Sequence, residues 1–463
     1  MQRRSTARGL PGQIPGQGAG TARARVAAAL AGVVLLLTAA CSGGDDRAQS
    51  GAKAEPSAPQ VVITPKNGTG KAKPEKGITV KVSNGALTAV SVVAKGARVP
   101  GVLSADKTRW RSRWTLTPGT SYTVSATAGN PAGKTTSVTS KFKTLKAANV
   151  LSILNVTPGT GAKVGVGMPI TVSFNRPVGD REAVEKSLQV TSRYANLGAW
   201  YWVNDSTAVF RTKKYWKANQ QVSFTARLAG VKSAKDTYGV ANVVRRFRIG
   251  DAHLVTVNTK THRLTVKSNG KVVKNVGISA GRGGFIRGGV DVYKTTSGIH
   301  LTMSKSRVER MTSEWMGVTD KKDPRFYDEK IPYAVRISNS GEYIHSMAST
   351  VWAQGRRNVS HGCINSPPAF AKWFFGWSYI GDVVVVTGSG RGLDPFNGWS
   401  YWELPWKSWV KGSALDRAVS TAPSTAKQTA SPGTTGAPGA PSAPAQGTST
   451  PPPGPAAPSP PSG

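Results

Sequence analysis

The chain has 463 residues and a formal net charge of +38, from 61 Lys and Arg against 23 Asp and Glu. That length is too great for one small core and predicts about three domains at roughly 150 residues each. Five histidines, two cysteines and no C-x-x-C or H-E-x-x-H spacing leave no basis for a metal or cofactor site, and the basic residues are too scattered to form a nucleic-acid arm.

In chain order, Arg3, Arg4, Arg8, Arg23 and Arg25 precede an apolar stretch over residues 26–40, too short for a comfortable membrane span. Residues 1–40 therefore read as an export signal. Leu37-Thr38-Ala39-Ala40-Cys41 resembles a bacterial lipobox, which implies lipidation of Cys41 and a membrane anchor on the extracellular face. The rival is plain cleavage near Ala40. Residues 41–58 are small, polar and Pro/Gly-rich and form a tether. Export turns the expected partners of the positive charge into anionic wall polymers, with no nucleic acid.

Residues 59–147 carry period-two alternation, with Ile78, Val80 and Val82 on one face and Trp110, Trp114 and Leu116 on another, broken by Asn84-Gly85 and Pro118-Gly119 turns. Leu116–Tyr122 resembles the tyrosine corner of immunoglobulin-like sandwiches. Residues 148–250 repeat this architecture, with Ile170, Val172 and Phe174 alternating and one short helical run over 181–187. The aromatics Trp200, Tyr201, Trp202, Tyr215 and Trp216 are read as sandwich core in preference to a sugar-stacking platform. The fold class is mainly β: two immunoglobulin-like sandwiches followed by a β-rich catalytic domain.

That third domain, residues 251–389, opens with a hairpin about Asn269-Gly270. The Gly281–Gly284 and Gly288-Gly289 glycines lack a following Lys-Ser/Thr and read as turns. Cys363 lies in Ser360-His361-Gly362-Cys363-Ile364-Asn365, eighteen positions after His345. Free cysteine titrates near pH 8.5, so an imidazole within folding reach is the usual activator. With Cys41 reserved for lipid, Cys363 has no disulfide partner. A Pro-initiated helix over 367–377 and a buried strand over 382–386 follow. Residues 390–416 hold four tryptophans that should pack back on the folded domains, and residues 417–463 read as a disordered Pro/Ala/Ser/Thr/Gly-rich tail.

Residues 251–389 resemble the YkuD-type catalytic domain of L,D-transpeptidases, whose motif is a histidine, a gap of about fourteen to seventeen residues, and Ser/Thr-His-Gly-Cys-x-Asn. The wider order of signal, two immunoglobulin-like domains, catalytic domain and Trp-rich segment resembles the actinobacterial lipoprotein members. The resemblance implies that Cys363 attacks a peptidoglycan tetrapeptide stem, releases D-Ala and forms 3→3 cross-links through a thioester. It makes His345 the base, oriented by the carbonyl of Ser346, and Tyr333 an oxyanion donor beside the Cys363 N–H. It places His361, Gly362, Asn365 and Ser360 around the substrate or the motif turn, and Met311 in a lid. The rivals are an L,D-carboxypeptidase, in which water replaces the acceptor amine, and a non-enzymatic wall-binding lipoprotein with an inert thiol.

Overall fold

The computed structural model describes residues 56–423. The expected signal segment, Cys41, nearly all of the tether and residues 424–463 lie outside them.

The first sandwich pairs strands Gln60–Thr64, Thr79–Ser83, Arg109–Ser112 and Gly101–Leu103 in one antiparallel sheet. Ala97–Arg98, Ala86–Ala94, Ser121–Gly129 and Thr135–Lys143 form the other. Alternation sends Val80, Val124 and Ala126 into the core with Ile78 and Leu116. The Tyr122 hydroxyl accepts the Thr117 N–H at 2.8 Å, the tyrosine corner read from the sequence. Trp110 is buried as expected, but Trp114 is not its facemate. The strand ends at Ser112, so the period of two lapses and the Trp114 ring lies against Arg227 of the second sandwich, 4.2 Å from its guanidinium carbon.

In the second sandwich, Ile153–Thr157, Ile170–Phe174, Thr207–Thr212 and Leu197–Asn204 face Lys163–Val164, Val243–Ile249, Gln220–Ala226 and Leu188–Ser192. Trp200, Trp202 and Trp216 are core side chains, at most 7% exposed. Trp409 of the C-terminal segment is fully buried and donates its indole N–H to the Ala199 carbonyl at 2.9 Å. Arg211 lies within 5.3 Å of the rings of Trp402, Trp406 and Trp409. The segment continues further than the sequence reading allowed. Val419–Ser420 pairs antiparallel with Leu197–Gly198 and adds a fifth strand to the sheet. The expected disorder from residue 417 is therefore corrected: a polar composition does not forbid a strand whose ladder bonds are supplied by an open sheet edge.

The catalytic domain has two main sheets. One runs Lys271–Gly277, Arg263–Ser268, His253–Asn258, Val383–Thr387 and Gly298–Leu301. The other runs Ser304–Thr312, Asp328–Arg336, Tyr343–Ser346 and Ile364–Ser366. The first hairpin turns on Asn269 and Gly270, both at positive φ (49° and 86°), as a primed turn requires. Helix Pro368–Trp377 buries Phe370 and Phe374, one turn apart, against Val335, Ile344 and Ile364. Leu301 and Val383 belong to the same apolar cluster as the second sandwich, so that core runs across the boundary. Backbone bonds reinforce it, from Gly165 N–H to the Ile380 carbonyl at 2.8 Å and from Gly167 to Gly381 at 3.0 Å.

Candidate active site

The motif turn is held by its own side chains. Ser360 Oγ accepts the Gly362 N–H at 3.2 Å and donates to the Cys363 carbonyl at 2.5 Å. Gly362 has φ = 134°, a conformation that excludes side chains in practice, and its carbonyl accepts from Thr295 Oγ1 at 2.7 Å. The chain then enters the strand Ile364–Ser366, which pairs in parallel with Tyr343–Ser346, Ile344 opposite Ile364 and His345 opposite Asn365. Ile344 and Ile364 point into the core. Cys363 immediately precedes that strand, and His345 lies on the neighbouring one, opposite Asn365.

His345 is 3% exposed, and its Nδ1 lies 2.9 Å from the Ser346 carbonyl. A carbonyl only accepts, so Nδ1 carries the proton and Nε2 keeps its lone pair. Burial pushes this imidazole down to about 4. Cys363 is half-buried, and burial pushes its thiol up to about 12, with the nearby Glu342 charge adding to the rise and a Tyr343 backbone bond opposing it. The thiol donates to the Gly341 carbonyl at 3.5 Å. At neutral pH both groups are uncharged, a thiol and a neutral imidazole rather than a standing ion pair.

A cavity of about 550 Å³ opens over the sulfur and is lined by Met311, Trp315, Tyr327, Tyr343, His361 and Gly362, among others. Tyr327 stacks on His361 at 5.1 Å, and its hydroxyl accepts the Trp315 indole N–H at 2.5 Å, which leaves its own proton free. Burial pushes that phenol up to about 12, against the Trp315 hydrogen bond, so it stays a donor. His361 is pushed down to about 4 by burial and then by Arg282, and is neutral too.

The expected residues separate into two groups. Cys363, His361, Gly362 and Met311 line the cavity. Ser346, Ser360 and Asn365 support it from behind: Asn365 is 4% exposed and donates to Thr350 Oγ1 at 3.1 Å, holding the loop after His345. Tyr333 is a correction. It follows Pro332, has φ = 52°, and its ring meets Phe375 edge-on at 5.8 Å, away from the cavity lining. The pocket tyrosines are Tyr327 and Tyr343. Glu342 was also missed. It is 4% exposed and takes the Thr296 N–H and hydroxyl at 2.6 and 2.7 Å. Tyr343 had a usable signal, two positions before His345 on a strand; Tyr327 had none in its local pattern.

Two β-sandwiches stand ahead of a two-sheet domain that carries a free thiol in a cavity. The L,D-transpeptidase catalytic domain family matches residues 252–386, and the bacterial Ig domain family matches 69–232. L,D-transpeptidase 2 of Mycobacterium tuberculosis is 35% identical over 339 residues, 73% of this chain and 80% of that protein. L,D-transpeptidase 5 of the same species is 30% identical over 370 residues, 78% of this chain and 79% of that one. Among solved structures, an L,D-transpeptidase in complex with imipenem is 32% identical, with a TM-score of 0.43 over 51% of this chain and 99% of its own. The chain belongs to the L,D-transpeptidase family and is an enzyme of that kind.

Proposed function

We propose that the protein cross-links peptidoglycan stem peptides through Cys363. The sulfur attacks the carbonyl between the third residue of a tetrapeptide stem and its terminal D-Ala. His345 Nε2 takes the thiol proton as the C–S bond forms, then delivers it to the departing D-Ala amine. The thioester is opened by the side-chain amine of a third residue on a second stem; that amine loses its proton to His345, Cys363 recovers it, and a 3→3 link results. The Cys363 N–H and the Tyr327 hydroxyl are the oxyanion donors.

The observation that supports this reading is the Nδ1–H bond of His345 to the Ser346 carbonyl, which leaves the Nε2 lone pair available for proton transfer, on a strand paired with the one that follows Cys363. The test is incubation with purified disaccharide-tetrapeptide and mass spectrometry of the products. The expected product is a dimer lacking one D-Ala, absent with Cys363→Ala. Released D-Ala with no dimer would assign a carboxypeptidase instead, and no reaction at all would leave a wall-binding protein. The same sulfur should open the β-lactam ring of a carbapenem, seen as an intact-mass adduct that Cys363→Ala abolishes. We place the enzyme on the outer face of the membrane, anchored through a lipidated Cys41; incorporation of labelled fatty acid, lost in Cys41→Ala, tests that.

A further inference from the structure

The acyl-transfer chemistry leaves a second, larger cavity unused. It has a volume of about 780 Å³ and lies between the two sandwiches. Its floor is a tight joint: Thr115 Oγ1 donates to the Ala229 carbonyl at 2.6 Å, and Gly230, at φ = 85°, abuts the Leu116 backbone so closely that a Cβ would not fit. Its walls carry Lys76, Arg111 and Arg113 from the first sandwich and Lys186, Arg227 and Lys232 from the second. Two acids, Glu75 and Asp180, stand against the six cations: Asp180 caps a helix through the Ala183 N–H at 2.9 Å, and Glu75 faces Tyr238 while its buried Oε2 has no hydrogen-bond partner. Of the six cations, Lys186 alone has a carboxylate partner, Glu182, among the described residues.

Trp114 is the one tryptophan lining the cleft. The Arg227 guanidinium carbon lies 4.2 Å and that of Arg113 5.6 Å from its ring centroid. The indole holds two like charges near one another, and the cation–π attraction offsets part of their repulsion. Burial and the neighbouring Arg113 charge both act against the Arg227 charge, the signature of a site that wants an anion. The remaining donors of such guanidinium forks match oxyanions.

We propose that this cleft binds a phosphodiester-linked anionic polymer with a polyol backbone. The volume is too large for a single ion and suits several linked units. Stem peptides fit less well, because their carboxylates come with amines, whereas a phosphodiester chain carries one uncompensated charge per unit. Nucleic acid shares that charge but binds single-stranded by stacking bases on open aromatic faces, and here guanidiniums occupy the neighbourhood of the one tryptophan. The assignment stands independently of the acyl-transfer reading.

The test is binding of poly(glycerol phosphate) to the purified protein by calorimetry at two salt concentrations. Binding is expected at low salt and should weaken as salt rises, because exposed charge attraction is screened. Arg111→Glu with Lys232→Glu, both exposed, should lower affinity by roughly tenfold or more, while turnover of disaccharide-tetrapeptide in solution stays unchanged. Lys271→Glu with Lys274→Glu, a charge reversal outside the cleft, should leave affinity within about twofold. An equal loss from that control would overturn the site in favour of net charge alone. Unaltered binding by the cleft variant, tighter binding of poly-L-glutamate, or tighter binding of a single-stranded oligonucleotide with the same number of phosphates would each overturn the proposal.

Discussion

At Cys363 and His345 burial opposes charge on both partners, so the pair rests neutral and the proton moves only when a carbonyl is in place. Thiol alkylation by iodoacetamide should therefore rise through pH 7 to 9 without a plateau, because the thiol titrates at about 12; a plateau below pH 7 would mean a standing thiolate. His345 and His361, held at about 4 when folded against 6.5 for the free side chain, favour the neutral form. Their contribution to stability is full above pH 6.5 and is lost as pH falls from 6.5 through 4, since the unfolded chain binds more protons there. Denaturant midpoints measured across that window should fall with acid, and more shallowly in His345→Gln. Tyr327→Phe should lower kcat by roughly 10²-fold with little change in KM, as removal of one oxyanion donor does, whereas Tyr333→Phe should act normally. Cys363 stood out in the sequence as a thiol with histidines nearby, and the roles of His345 and Ser346 were read from the motif's resemblance to the family. Tyr327 was not legible, because it reaches the sulfur only through the long excursion that follows Thr312 and carries Trp315, and its period does not mark it.

Strand alternation predicted most of the elements, and it failed where an element ends or another segment supplies the missing half. Trp114 reads as a core residue only while the strand is assumed to continue past Ser112. Residues 417–423 read as disorder only while no sheet edge is in view. Four tryptophans in a short run did announce packing, and the structure shows what they pack on. Trp409 is wholly enclosed and hydrogen-bonded, so Trp409→Ala should destabilise the second sandwich by about 3–5 kcal/mol, measured by urea unfolding. The charge of Arg211 would then face a void, though Trp402 and Trp406 still flank it.

For the molecule as a whole, the shared apolar cluster and the backbone bonds at Gly165 and Gly167 tie the second sandwich to the catalytic domain. The two should melt in one calorimetric transition, and residues 251–389 expressed alone should bind a fluorescent apolar dye and lose activity, because Leu301 and Val383 would lie bare. Glu403 of the C-terminal segment is joined to the same domain, accepting the Ile299 N–H at 2.5 Å.

The strand Val419–Ser420 also bears on how the protein is made. A chain leaving the ribosome ordinarily matures domain by domain from its first residue. Here the second sandwich lacks an edge strand and its Trp409 plug until almost all of residues 56–423 have emerged. Its completion waits on the catalytic domain, so a nascent chain truncated before residue 400 has a matured first sandwich and nothing finished after it.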